Sequence, residues 1–193
     1  MKKRTAANQS VAPSMPIVPG YNEVRHVGGG GFGNVWMVRD QMGHLCALKV
    51  VRRSREDGGY TYKRERNAIE CYRSIAPGHL GIINILHFGQ GDNFFYYTMP
   101  LADDTHKGKI RPKRYIPKTL AAVLNKKKRL SSAETIEIIL PILDALRYLH
   151  SHDMIHRDIK PDAILFVRGE PILGDISRSK LIGCLLRRRC RRT

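Results

Sequence analysis

Apolar residues in the first hundred positions fall into short runs, and these runs are separated by residues typical of turns. The ranges 21–27, 35–38, 45–51, 82–88 and 94–99 are rich in aliphatic, β-branched and aromatic side chains. Runs of this length, bounded by Gly, Asn and Asp, are typical of strands. The pattern therefore predicts five strands. The strand over 45–51 is predicted to be buried, because nearly all of its residues are apolar.

A different period appears over the range 62–75, where apolar residues recur on one face of a predicted helix. Its two glutamates fall differently on that helix. Glu65 lies three and four positions before Ala68 and Ile69, whereas polar and charged residues surround Glu70. We therefore expect Glu65 to point inward and Glu70 to face solvent. The alternative is that either glutamate pairs with a neighbouring arginine on the surface.

A second helix is predicted from Ser131 to about His150. Ser131 and Glu134 have the spacing of a capping box at its start, and Pro141 is expected to kink it. Apolar residues occupy more of this helix than one buried stripe needs. We therefore expect an exposed apolar patch that promotes self-association or the binding of a partner.

Three motifs carry the candidate chemistry. Gly28, Gly30 and Gly33 belong to a G-x-G-x-x-G-x-V pattern, whose glycines let backbone N–H groups approach a phosphate. Lys49 is the one charge in the buried third strand and requires an anionic partner. A His-Arg-Asp-x-Lys-Pro run begins at His156. In this order, the three are the signature set of protein kinases.

With these motifs the chain resembles a eukaryotic-type serine/threonine protein kinase, similar to the Hanks-type enzymes of bacteria. The resemblance implies an α+β fold with a five-stranded antiparallel small lobe, one small-lobe helix and the beginning of a mainly helical large lobe. It divides the chain into four parts. These are a disordered basic leader (1–20), the small lobe and hinge (21–102), a partial large lobe with the catalytic loop (103–180) and an unmatched basic tail (181–193).

The resemblance also implies ATP and Mg²⁺ as cofactors and a role for each matched residue. Asp158 would orient the substrate hydroxyl, Lys160 would neutralise the γ-phosphate, and Asp175 would bind the metal. Lys49 would hold the α- and β-phosphates, with Glu65 as its ionic partner. The other implied ATP contacts come from the glycine loop, the strand residues that cover the adenine, and the hinge backbone: Gly28, Gly30, Gly33, Val35, Ala47, Leu101 and Ala102.

Three departures from the family pattern bear on activity. Ala163 stands where the family has a metal-binding Asn, and Asp-Phe-Gly becomes Asp175-Ile176-Ser177. Ser177 also lacks glycine's freedom to adopt a positive φ. The chain ends before an Ala-Pro-Glu motif, so we expect a truncated kinase with weakened metal binding. The alternative is a nucleotide-binding pseudokinase or regulatory module without catalysis.

Charge adds a further alternative. The chain has 34 Lys and Arg against 17 Asp and Glu, a net charge of +17. The excess lies in acid-free segments at 2–4, 107–118, 126–129 and 187–192. Such segments are usually solvated, but they leave open a basic polyanion-binding protein, although no specific nucleic-acid target is expected.

Location and partners follow from what the sequence lacks. No apolar run is long enough for a membrane span or for the core of a signal peptide. The four cysteines have no metal-binding spacing. We therefore expect a cytoplasmic protein. The resemblance implies that its partners are ATP and a protein substrate of unknown identity.

Overall fold

The computed structural model describes residues 13–30, 33–54, 58–106 and 108–181. Its first part is an antiparallel five-stranded sheet with the spatial order β1-β2-β3-β5-β4. The strands are β1 (Tyr21–Gly30), β2 (Gly33–Asp40), β3 (Leu45–Arg52), β4 (His87–Gln90) and β5 (Phe94–Pro100). The predicted α+β class and five-stranded small lobe are confirmed.

Alternation of side chains along β3 determines which face of the sheet each residue serves. Leu48 and Val50 belong to an outer apolar cluster around Trp36. Val51 belongs to an inner cluster, which also contains the helix α1 (Tyr60–Ile75). Lys49 lies between Leu48 and Val50 in sequence and therefore points to the inner face, beneath α1.

The leader is partly structured. Residues 1–12 lie outside the described ranges, but residues 13–20 cover the outer face of the sheet. Val18 is buried in the outer cluster, and Met15 packs against it. The backbone N–H of Tyr21 donates to the carbonyl of Val18 at 3.1 Å. The sequence analysis expected disorder up to residue 20, whereas in the structure Met15 and Val18 pack on an apolar face of the sheet.

The part that follows the sheet contains two helices and two short antiparallel pairs of strands. The helices are α2 (Leu120–Lys127) and α3 (Ser132–Ser151), and the strands are β6 (Met154–Ile155), β7 (Ile164–Val167), β8 (Glu170–Leu173) and β9 (Lys180–Leu181). β7 pairs with β8, and β6 pairs with β9. The predicted capping box of Ser131 and Glu134 is present at the start of α3, and Pro141 lies inside the helix without ending it. Across the described ranges, no helix has both the length and the apolar character of a membrane span.

The predicted strand over 82–88 is wrong over 82–86, because β4 begins only at His87. Ile82 and Ile83 are buried in the inner cluster instead. The N–H of Ile83 donates to the carbonyl of Leu173 at 2.9 Å, and the N–H of Leu173 donates to Gly81 at 2.9 Å. This apolar run therefore joins the small lobe to the β7–β8 hairpin rather than extending the sheet.

Candidate active site

The glycine loop joins β1 to β2, and two of its glycines meet different demands. Gly33 has a φ of +108°, and a Cβ there would lie 2.4 Å from the carbonyl oxygen of Val50. Only glycine fits that position without movement of the backbone. Gly28 has no heavy atom within 4 Å of a Cβ position, so its backbone borders open space. Gly30 pairs with Gly33 in the ladder, whereas residues 31–32 lie outside the described ranges.

A cleft of about 600 Å³ lies between the glycine loop and the second part of the chain. That volume falls in the range of sites that bind small molecules. Nine of the sequence-predicted residues line the cleft: Gly28, Gly33, Val35, Ala47, Lys49, Leu101, Ala102, Lys160 and Asp175. Asp162, next to Ala163, also lines it and was missed by sequence reasoning. The structure therefore brings most of the predicted nucleotide residues to one cavity.

Lys49 is the charged centre of this cleft. Its Nζ lies 3.4 Å from Oε1 of Glu65 and 3.7 Å from Oδ1 of Asp175. Burial by itself would lower the pKa of Lys49, but the neighbouring Tyr97, Glu65 and Asp175 outweigh burial and raise it. The amine is therefore held as a cation between a buried carboxylate on one side and the cleft on the other.

The face of α1 determines which glutamate reaches Lys49. Glu65 is fully buried, as are Ile69 and Tyr72 on the same face. Glu70 instead forms an exposed ion pair with Arg66, with 2.9 Å between its Oε1 and the arginine Nε. The expected division between an inward Glu65 and a solvent-facing Glu70 is present in the structure.

The loop between β6 and β7 carries the His-Arg-Asp motif and is anchored from beneath. His156 is buried, and its Nε2 lies 2.6 Å from the carbonyl of Gly174. The N–H of Asp158 donates to Nδ1 of His156 at 3.3 Å. The imidazole therefore carries its proton on Nε2, and desolvation keeps its pKa below the ordinary value. His156 fixes the position of the loop and lies away from the cleft.

Asp158 and Lys160 meet at the mouth of the cleft. Nζ of Lys160 donates to Oδ2 of Asp158 at 2.6 Å and lies 3.9 Å from Oδ2 of Asp175. The hydrogen bond to Asp158 raises the pKa of Lys160. Arg178 also lies near Asp158, with 3.9 Å between Nη1 and Oδ1. Two carboxylates and two cations thus converge at the mouth of the cleft.

The Asp175-Ile176-Ser177 segment forms a short turn that does not need glycine. Ile176–Arg178 is a 3₁₀ turn, and the positive φ of 50° lies at Asp175. Ser177 is absent from the described residues with positive φ. The loss of glycine at Ser177 is therefore tolerated by this backbone conformation.

Ala163 is fully buried, and both its backbone N–H and its carbonyl form hydrogen bonds. Its N–H donates to the carbonyl of Lys160 at 2.9 Å, and its own carbonyl accepts from the N–H of Gly174 at 2.7 Å. The methyl group offers no ligand for a cation. Within the described ranges, no three His, Cys, Asp or Glu side chains are grouped so that they could hold a metal ion. A cation here would therefore depend on Asp175 together with phosphate oxygens, a common arrangement for Mg²⁺.

The hinge contains a contact that the sequence analysis missed. Tyr115 and Pro117 line the cleft beside Leu101 and Ala102. The hydroxyl of Tyr115 donates to the carbonyl of Ala102 at 3.0 Å. The only signal in the sequence was one aromatic residue within an otherwise basic and proline-containing loop.

Comparison with known proteins gives a consistent result. A family model described as the protein kinase domain matches residues 21–183. The probable serine/threonine-protein kinase PknB of Lactococcus lactis subsp. lactis is 30% identical over 147 residues, which are 75% of this chain and 21% of that protein. The serine/threonine-protein kinase PknD of Chlamydia trachomatis is 30% identical over 162 residues, which are 80% of this chain and 16% of that protein.

A eukaryotic relative shows the same level of similarity. Aurora/IPL1-related protein kinase 2 of Caenorhabditis briggsae is 31% identical over 158 residues, which are 80% of this chain and 47% of that protein. The chain thus spans less than half the length of each of these three relatives. Because the family model covers most of the chain, this chain belongs to the protein kinase family, and its bacterial relatives are serine/threonine kinases of the Hanks type.

Proposed function

We propose that this chain is an ATP-dependent protein serine/threonine kinase domain, which transfers the γ-phosphoryl group of ATP to a hydroxyl of a protein. The observation that carries the proposal is Lys49, a buried cation held by Glu65 and directed at a cleft that glycines border. A buried ammonium group is costly unless anions surround it. Phosphate groups in the cleft would add to the anions already present.

The small lobe would bind the nucleotide. Backbone N–H groups at Gly28, Gly30 and Gly33 would approach the phosphates, and Lys49 would hold the α- and β-phosphates. Val35 and Ala47 line the cleft and would cover the adenine. The backbone of Leu101 and Ala102 would read the edge of the adenine. Each role uses a group whose position is fixed by the sheet or by a buried ion pair, so little ordering is required on binding.

The second part of the chain would align the acceptor. Asp158 would accept a hydrogen bond from the substrate hydroxyl and orient its oxygen toward the γ-phosphorus. In the structure, Nζ of Lys160 donates to Asp158. Once the nucleotide binds, the ammonium group would turn toward the γ-phosphate. Charge stabilisation and alignment of this kind are the main requirements of phosphoryl transfer.

The residues present fit a magnesium ion only in part. Asp175 has an accessible carboxylate, with 39% of its side chain exposed, and it faces Lys49 across the cleft. Ala163 supplies no oxygen. Asp175 would hold the ion with help from the phosphates, and the ion would supply positive charge that neutralises them. We propose that metal binding is correspondingly weak.

The test is a pair of conservative variants of the full chain. Asp158→Asn should lower phosphate transfer from radiolabelled ATP to a generic protein acceptor by about 100-fold or more, while nucleotide affinity changes little. Asp153→Asn is the matched control, because Asp153 is exposed, lies just before the loop and has a positive φ that Asn tolerates. Equal activity in the wild type and Asp158→Asn would contradict the proposed role.

A nucleotide-binding pseudokinase is the second candidate, and the buried methyl group of Ala163 favours it. This reading predicts that ATP raises the melting temperature while no transfer is detected even at high magnesium concentration. Transfer that Asp158→Asn abolishes would exclude it. A chain that ATP and ADP do not stabilise at all would contradict both candidates.

The remaining proposals concern partners and location. Ile136, Leu140 and Leu143 are all more than half exposed and follow one another at helical spacing on α3. We propose that this apolar stripe mediates self-association or binds a partner protein. We also propose that the chain acts in the cytoplasm, where ATP is supplied. The arginine-rich segment of the polyanion-binding alternative, 187–192, lies outside the described residues.

A further inference from the structure

The connection from the hinge to α2 is a folded element, here called the strap (residues 103–118, of which 107 lies outside the described ranges). Its base is fixed to the β7–β8 hairpin. The carboxylate of Asp103 accepts from the N–H groups of Arg168 and Gly169, both at 2.8 Å. The N–H of Lys118 donates to the carbonyl of Asp103 at 2.7 Å, which closes the loop on itself. The base of the strap is therefore anchored to the second part of the chain.

Tyr115 connects the strap to the hinge. Its side chain is buried, and its hydroxyl donates to the carbonyl of Ala102 at 3.0 Å. Burial raises the pKa of this phenol. The hydroxyl therefore stays a neutral donor at physiological pH. Because Ala102 is a hinge residue that borders the cleft, this hydrogen bond fixes the backbone where a nucleotide base would lie.

Arg25 connects the strap to the small lobe. It lies in β1, three residues before Gly28, and its side chain is half-buried. Nη1 of Arg25 donates to the carbonyl of Pro112 at 3.0 Å and to the carbonyl of Tyr115 at 3.1 Å. A guanidinium group of the sheet thus bonds two carbonyls of an element that is anchored to the other part of the chain.

We propose that Arg25 and Tyr115 are positioning residues for the nucleotide and that the strap restrains the opening of the cleft. The inference rests on the proposed nucleotide binding. Separation of β1 from the second part of the chain must break both bonds of Arg25 before the glycine loop can move away. A link outside the covalent hinge therefore slows nucleotide release. Opening and product release limit the turnover of many enzymes that close over their substrates.

The experiment measures the dissociation rate of a fluorescent ADP analogue from the full chain by stopped-flow displacement with excess ADP. Arg25→Gln and Tyr115→Phe should each raise the dissociation rate about three- to tenfold, the range expected for the loss of one or two hydrogen bonds. The association rate should change less, because most affinity differences among related complexes lie in dissociation. Arg25→Lys, which keeps a charged donor, should restore part of the slow release.

Two variants control for a merely structural effect. Arg39 donates to the carbonyl of Gly43 at 2.7 Å in the β2–β3 turn, and the hydroxyl of Tyr148 donates to the carbonyl of Ile75 at 3.0 Å. Arg39→Gln and Tyr148→Phe therefore remove the same kinds of bond away from the cleft. They should lower the melting temperature to an extent similar to the strap variants and leave the dissociation rate unchanged.

Coupling between the two strap residues gives an independent readout. Arg25 bonds the carbonyl of Tyr115, whose hydroxyl bonds the hinge, so both act through one element. The double variant Arg25→Gln/Tyr115→Phe should raise the dissociation rate by less than the product of the single effects. Unchanged dissociation rates in both single variants, or equal increases in the controls, would overturn the inference while leaving nucleotide binding intact. A wild-type chain that does not bind the analogue would overturn the proposed function, and this inference with it.

Discussion

The small lobe and the part of the chain after the hinge differ in how completely their apolar surfaces are covered. The five-stranded sheet is covered on both faces, by the outer cluster around Trp36 and by the inner cluster beneath α1. Helix α3 buries Ile142, Ala145 and Leu149 on one side, whereas Leu140 on the other side is 59% exposed. The small lobe thus buries apolar residues on both faces of its sheet, and it shares its inner cluster with the second part, which leaves one face of α3 open.

The same difference appears in the candidate site. Lys49 and Glu65, which the small lobe contributes, are buried and hold each other in place. Asp158, Lys160 and Asp175 come from the second part and form partly exposed ion pairs, whose geometry costs little to change. If the chain has the proposed function, its nucleotide-binding half is preorganised, whereas its transfer half depends on charges that must rearrange.

The largest expected effect comes from substitutions in the preorganised half of the site. Lys49→Ala should weaken ATP binding about 100-fold or more, because it removes a buried cation and leaves Glu65 buried without it. Glu65→Gln should weaken binding about tenfold, because the amide cannot balance the lysine charge. Isothermal titration calorimetry with each variant checks this. Glu70→Gln is the control, and an effect equal to that of Glu65→Gln would contradict the assignment of the buried face of α1.

The open face of α3 provides the second test. Leu140→Gln should weaken self-association about tenfold, because burial of an exposed leucine contributes about 1.5–3 kcal/mol. Sedimentation velocity over a range of concentrations measures the effect. Leu80→Gln is the control, since Leu80 is 94% exposed outside α3. A monomeric wild-type chain with uniformly slow hydrogen exchange along α3 would contradict the idea of an uncovered face.

Ala163→Asn tests whether the second part lacks a metal ligand. The amide oxygen should increase the magnesium dependence of ATP binding by about tenfold, the lower end of what metal-site partners contribute. Calorimetry with and without magnesium measures the coupling. Ala163 is fully buried, so the melting temperature of the variant must be measured beside it. Identical coupling in the two proteins would place Ala163 outside the metal site.

The smallest effect concerns the buried imidazole beneath the catalytic loop. The pKa of His156 lies below the ordinary 6.5, chiefly because of desolvation. The unfolded chain therefore binds a proton more readily, and the stabilising effect of the neutral imidazole is lost as pH falls from 6.5 through the folded pKa. The free energy of unfolding should fall by up to about 1.4 kcal/mol per pH unit there.

Urea titrations at several pH values check this prediction. His156→Gln should be less stable than the wild type at pH 7.5 but should lose less stability between pH 7 and pH 5. His150→Gln, at an exposed position near the end of α3, should keep the wild-type slope. Equal slopes for the wild type and His156→Gln would show that other groups govern the acid response.

Local patterns predicted only part of the small-lobe half of the site. The apolar strand around Lys49 and the helical spacing around Glu65 predicted that both residues point inward, and the resemblance to protein kinases implied that they pair. The apolar run at 82–88 was misleading, because composition does not distinguish a strand from a buried connection. The hydrogen bonds of Gly81 and Ile83 to Leu173, about ninety residues later in the chain, make that distinction, and no local pattern encodes them.

Helix α2 was not predicted, although the sequence contains an N-cap residue that marks its start. Thr119 precedes an apolar run, and its Oγ1 accepts from the N–H of Ala122 at 3.1 Å, an ordinary N-cap. The strap is a different case. The basic composition of this loop predicts solvation, whereas Tyr115 bonds the hinge and Arg25 of β1 bonds the loop from nearly ninety residues away. Its fold depends on long-range partners, and sequence patterns alone cannot supply them.

The burial of Trp36 in the outer cluster also has a spectroscopic consequence. It is the one tryptophan of the chain, it is fully buried, and the ring of His26 meets it nearly edge-on with 5.4 Å between centroids. The residue belongs to the sheet face opposite the inner cluster that contains α1. Its emission therefore reports melting of the small lobe, while far-ultraviolet circular dichroism is dominated by helices such as α3. A lower transition temperature by circular dichroism than by fluorescence would reveal that the two parts unfold separately.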